Sequence, residues 1–218
     1  MLVGHYAASL ALKSKEKKSS LGVLFLAVQF VDILFFTFVL LGIERLNVVE
    51  NFTASTHFEL VFMPYTHSLV ASFLWAFGAY VFFRLVLSKG HMVSLVVGLA
   101  VVSHWFLDLI VHTPDLPLWL NDTAKVGFGL WHDPIATYVL EALLLIGALI
   151  LYLRQTIHNN TFTGKYGMII FVLFLILMNT SNIFGPPFGG SQVTLAFSAF
   201  AMYFGFAGIA YWLDKKRV

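Results

Sequence analysis

The sequence predicts an all-α, polytopic membrane bundle of about six transmembrane helices, plus a short N-terminal helix that re-enters the bundle or lies at the interface. Three observations carry that prediction. Hydrophobic residues make up 59% of the 218 and charged residues only 11%, against about 25% charged in soluble domains. Apolar residues gather into runs of about 20, the length needed to cross the hydrocarbon core. All but two of the 13 Lys and Arg fall at the termini and in alternate loops. Only Arg45 and Lys125 lie on the other side, which puts both termini in the cytoplasm.

Residues 1–12, MLVGHYAASLAL, are apolar but too short to span. The basic cluster Lys13, Lys15, Lys17 and Lys18 follows this stretch instead of preceding it, unlike a secretory signal. Leu21 to Ile43 is the first span, with Asp32 near its middle, about 15 Å from either end. Glu44 to Tyr65 reads as a polar loop. Thr66 to Leu87 is the second span, entered through Pro64-Tyr65-Thr66-His67-Ser68. Met92 to Val111 is the third, and residues 112–133 form a second outer loop. Pro134 suits the first turn of a fourth span, Ile135 to Leu153, where its missing N–H costs nothing. Tyr166 to Ile183 is the fifth, and a tight GPPFGG loop (Gly185 to Gly190) leads to the sixth, Val193 to Leu213. No linker divides the chain, so residues 1–218 form one membrane domain.

Composition also excludes chemistries. The chain has no Cys, which rules out disulfides, Cys-ligated zinc, iron–sulfur clusters and thiol catalysis. A net charge of +2 gives no reason to expect nucleic acid. No Walker-type loop, GxSxG elbow or HExxH motif is present. The five Trp read mostly as an aromatic belt near span ends.

The ionisable residues inside apolar runs are the informative ones, because such groups are costly at membrane depth and mark sites. In residues 103–119, SHWFLDLIVHTPDLPLW, the groups His104, Asp108, His112 and Asp115 fall within roughly 80° on one helix face. Imidazole and carboxylate at i, i+4 can reach one divalent ion. His67 opens span two, Glu141 lies about 10 Å inside span four, and His5 reaches about 12 Å inward if residues 1–12 fold back as a helix. Under six spans these residues and Asp32 converge in the middle to outer third of the bilayer. Glu44, His57, His132 and Asp133 lie in loops and read as solvated groups.

Gly4-His5, Asp32, PYTHSLVA (64–71) and the 103–119 stretch resemble, in order, the motifs of the YdjM-like family of bacterial inner-membrane-associated proteins regarded as metal-dependent hydrolases. The THS and SHxxxD blocks are the specific ones; residues 120–218 match only as further spans. The resemblance implies that residues 1–119 carry a metal site with His5, Asp32, His67, His104 and Asp108 as ligands. Two departures count against a second ion: the family's Asp-x-Asp-His appears as Val31-Asp32-Ile33-Leu34, and its His-Arg-Gly as Met63-Pro64-Tyr65.

The expectation is a divalent ion, zinc ahead of manganese or magnesium, activating water for hydrolysis of a lipid or other amphiphilic ester or phosphoester. His112, Asp115 and Glu141 are candidates for general base or for holding the ligands. The rival classes are a metal-ion or proton transporter or channel and a non-catalytic, metal-stabilised scaffold. A pathway needs polar residues toward the cytoplasm, where the spans offer little besides Ser72, Ser94 and Ser198.

Overall fold

The computed structural model describes residues 1–186 and 189–217. Pro187 and Phe188 of the expected GPPFGG loop lie outside them. The fold is an all-α bundle with two small hairpins on its surface. Its helices are α1 (His5–Lys15), α2 (Leu21–Val28), α3 (Phe30–Leu40), α4 (Leu69–Val81), α5 (His91–Val111), α6 (Pro134–Gln155), α7 (Phe162–Phe184) and α8 (Gln192–Asp214). Five are long and apolar enough to cross a membrane, with α4 extended by a π-type turn to Val86; α2 and α3 together make a sixth if counted as one bent span. The long helices begin where the sequence supplies an acceptor for an unpaired N–H. Ser68, Asp133, Thr161 and Ser191 each accept a bond from the first turn of α4, α6, α7 and α8.

The expected first span is broken. α2 and α3 meet at a 50° bend over Gln29, whose side-chain amide donates to Leu2 O at 3.2 Å. The bend follows from neither Pro nor Gly; tertiary contacts on both sides of Gln29 hold it.

α2 is the central post. Leu21, Leu24, Phe25 and Val28 are fully buried, and α2 packs on α1, α5 and α8. Gly22 permits the α8 contact, since a Cβ there would meet Ala207 O at 2.7 Å and Tyr211 Cβ at 2.6 Å. α1 is neither exposed nor interfacial. It lies inside the bundle against α6, α2 and α5, with His5, Tyr6, Ser9 and Leu10 fully buried. Its far end is tied down by Lys13, which reaches Asp214 at 2.8 Å and donates to Ser19 O at 2.7 Å. Asp214 also accepts from Tyr152 Oη at 3.0 Å.

The two loops expected on the outer side differ from expectation. The Glu44–Tyr65 segment holds an antiparallel hairpin, β1 (Arg45–Val48) with β2 (Phe58–Phe62). Residues 112–133 hold a shorter one, β3 (Leu116–Pro117) with β4 (Lys125–Val126). Helix α5 stops at Val111, and His112 is already extended (φ −60°, ψ 145°). His112 and Asp115 therefore do not continue the helix face, because Pro114 disfavours helical backbone just before it. Trp105 also departs from the expected belt: it is buried within α5.

Candidate metal centre

Five side chains from four segments meet beside the α2–α3 break. His5 opens α1, Asp32 sits in the first turn of α3, His67 immediately precedes the cap of α4, and His104 and Asp108 lie one turn apart on α5. Their ligand atoms form two groups that can hold a metal ion, His5–His104–Asp108 and Asp32–His67–His104. His104 belongs to both. The closest pairs are His104 Nε2 to Asp108 Oδ2 at 3.0 Å, His5 Nε2 to Asp108 Oδ1 at 3.1 Å, His67 Nε2 to Asp32 Oδ1 at 3.2 Å and His104 Nε2 to Asp32 Oδ1 at 3.5 Å. The imidazoles of His5 and His104 stack in parallel, 3.7 Å between centroids.

Within each group these separations suit co-ligands of one ion. Tetrahedral bonds of about 2.0–2.1 Å place neighbouring ligand atoms roughly 3.3–3.4 Å apart. The orphaned atoms point the same way. His5 Nε2 and His104 Nε2 are buried and close to Asp108, yet neither is aligned for a hydrogen bond. A buried polar atom left so costs about 1–3 kcal/mol, and an ion between these groups satisfies both. The Met1 amine also lies against Asp108 Oδ1, at 2.8 Å.

Two histidines are held from behind. His104 Nδ1 lies 2.6 Å from Val28 O, a carbonyl at the end of α2 that the break leaves available. His67 Nδ1 lies 2.8 Å from Thr66 Oγ1. Asp32 uses its second oxygen to accept from Tyr203 Oη on α8, at 3.1 Å.

The remaining expected residues take different places. His112 and Asp115 pair directly, Nδ1 to Oδ1 at 2.8 Å, with Trp131 against the imidazole at 4.1 Å. His112 Nε2 lies 3.6 Å from Asp108 Oδ2, so the pair adjoins the cluster although helix geometry did not bring it there. Glu141 holds backbone: its Oε2 accepts from Gly4 N at 2.8 Å, at the N-terminus of α1, where a carboxylate is favourable. A Cβ on Gly4 would overlap the Met1 side chain and press on Glu141 Cγ at 3.2 Å.

Glu44, expected to be solvated, is 1% exposed. It accepts from Tyr65 N at 2.8 Å, Thr66 N at 3.0 Å and Thr66 Oγ1 at 2.6 Å. Burial raises its carboxyl above the ordinary value, while those donors pull it down. Glu44, Thr66 and Tyr203 are the residues that sequence reasoning missed. A Thr directly before a candidate ligand and a Tyr in mid-span were the available signals.

A cavity of about 450 Å³ opens on the cluster, within the roughly 300–1,000 Å³ usual for small-molecule sites. Asp32, His67, Asp108, His112, Glu141 and Tyr203 line it, together with apolar Phe35, Phe36, Leu46, Met178, Leu195 and Met202 and with Thr56 and His57 of the first hairpin's loop. No family model matches the chain, and neither a curated protein nor a solved structure does.

Proposed function

We propose that this chain is a membrane-embedded, metal-dependent hydrolase of the YdjM-like kind, acting on a lipid or similar amphiphilic ester or phosphoester in the bacterial inner membrane, with both termini cytoplasmic. The observation that carries the proposal is the buried His/Asp cluster, with orphaned imidazole nitrogens, at a cavity also lined by apolar residues. His5, Asp32, His67, His104 and Asp108 hold one divalent ion, zinc favoured by the three imidazoles. One ion is the count that fits. His104 spends Nδ1 on Val28, so its single free nitrogen cannot serve two ions. A bound divalent ion supplies Lewis acidity toward the ester oxygen and a more acidic water.

The chain's own groups do the rest. The apolar lining takes the acyl part of the substrate and leaves its polar bond at the cluster. Asp115 holds His112 Nδ1–H, so Nε2 is the free base beside the reacting bond. His112 accepts a proton from the attacking water and returns it to the departing oxygen. Tyr203 steadies Asp32. Transport is disfavoured by what lies along α1 from His5 toward Lys13: Tyr6, Leu10, Leu24, Phe25 and Leu145 fill that depth and are fully buried.

Elemental analysis of detergent-purified protein tests the reading. Near-stoichiometric divalent metal is expected, with most of it lost in His104→Ala and Asp108→Ala. Turnover of a phospholipid panel should stop with chelator. Full metal retention by Asp108→Ala would remove the chelate from the site.

A further inference from the structure

The metal reading requires His67 to present a lone pair at Nε2, and the structure contains a device that enforces this from outside the cluster. Proton counting identifies it. In its ionised form, which the three donors on it favour, Glu44 has only acceptors, and Thr66 Oγ1 lies 2.6 Å from its Oε2. Thr66 has one hydroxyl proton, so it donates that proton to Glu44. Toward His67 Nδ1, 2.8 Å away, the hydroxyl oxygen can then only accept. His67 then carries a proton on Nδ1, and Nε2, 3.2 Å from Asp32 Oδ1, is the nitrogen left for the ion to take in place of a proton. The Val28 carbonyl, another pure acceptor, does the same to His104 in one step. Glu44 does it in two.

Resting on the metal-centre reading above, we propose that Glu44, acting through the Thr66 hydroxyl, is a positioning residue that sets the tautomer and ring orientation of His67 for binding the ion. Hydrogen bonding of the outer nitrogen is the usual way a ligating His is oriented; here a threonine is interposed. The arrangement also joins the site to the hairpin over the cavity. Glu44 immediately precedes β1, and Thr56 and His57 at the hairpin's loop line the cavity.

The test uses the full chain in detergent, stripped with chelator and titrated with Co²⁺ and Zn²⁺. Thr66→Val removes the hydroxyl at nearly constant volume and leaves the bonds from the Tyr65 and Thr66 backbone N–H groups to Glu44. It should weaken binding about 10–100-fold and alter the Co²⁺ visible spectrum. Thr66→Ser should restore both, and Glu44→Gln should fall between Thr66→Val and wild type. A Thr66→Val protein with wild-type affinity and spectrum would overturn the proposal while leaving the metal centre standing. If Glu44→Gln fails to fold, the Val and Ser pair still decides. A wild-type chain that takes up neither ion overturns the metal-centre reading itself, and this proposal with it.

Discussion

At the scale of single residues, the site separates groups that hold from groups that react. His112 is the only one of the three cavity-facing histidines His67, His112 and His57 whose Nδ1 is backed by a carboxylate side chain. That pairing holds the ring with its Nδ1 toward Asp115 and leaves Nε2 toward the cavity. Asp115→Asn should therefore lower kcat, roughly 10²–10⁴-fold if His112 is the general base, with metal content unchanged. Loss of metal in step with rate would reassign the pair to ion binding. The five cluster residues were legible from sequence because each is an ionisable side chain in or at the edge of an apolar run, and His104 and Asp108 share helical spacing. Glu44 was not legible: a carboxylate among polar neighbours looks solvated until the hairpin folds over it. Tyr203 was hidden for the opposite reason, since tyrosine is ordinary in an apolar helix.

At the scale of elements, the break between α2 and α3 matters most for the site. It supplies the Val28 carbonyl to His104 and sets α3 so that Asp32 faces His67. The run LGVLFLAVQFVDILFFTFVL carries no Pro, and its one Gly, Gly22, lies far from the bend, so a local reading yields one straight span. The long helices α5 to α8 were legible to within a few residues because their apolar runs are long, and for α6 to α8 because the capping residues are local. Close packing of α2 on α8 gives a test at this scale. Gly22→Leu must displace the Ala207 carbonyl and the Tyr211 side chain, and overpacking of this kind costs about 1–3 kcal/mol or more. Thermal unfolding in detergent should shift down accordingly; an unchanged midpoint would mean that α8 moves freely relative to α2.

For the whole molecule, the informative contrast is between its two polar networks. The one around Asp108 has orphaned nitrogens and a cavity. The one around Asp214 joins Lys13, Tyr152 and the Leu21 N–H, so both carboxylate oxygens are taken. The first reads as a site, the second as a fastening. Depth depends on topology, so reporter fusions after Lys89 and Lys165 should report the cytoplasmic side, and those after Glu50 and Lys125 the opposite one. Identical readings from the two sets would separate the cluster from the outer leaflet. Liposomes containing the protein should pass neither protons nor divalent metal; a flux that needs Asp32 and His104 would favour a transporter.

The buried position of α1 also has a consequence for biogenesis. Its partners arrive late: Gly4 waits for Glu141, 137 residues on, and Lys13 waits for Asp214 near the other end of the sequence. α1 is thus made before α6 and α8 and completes its docking only after both are present. His5 meets its own partners, His104 and Asp108, once α5 is made, but the Lys13 end of α1 stays unfastened until α8 is present. Fastening of α1 therefore follows synthesis of α8, and a chain truncated before α8 should insert its earlier spans yet leave the Lys13 end of α1 open to protease.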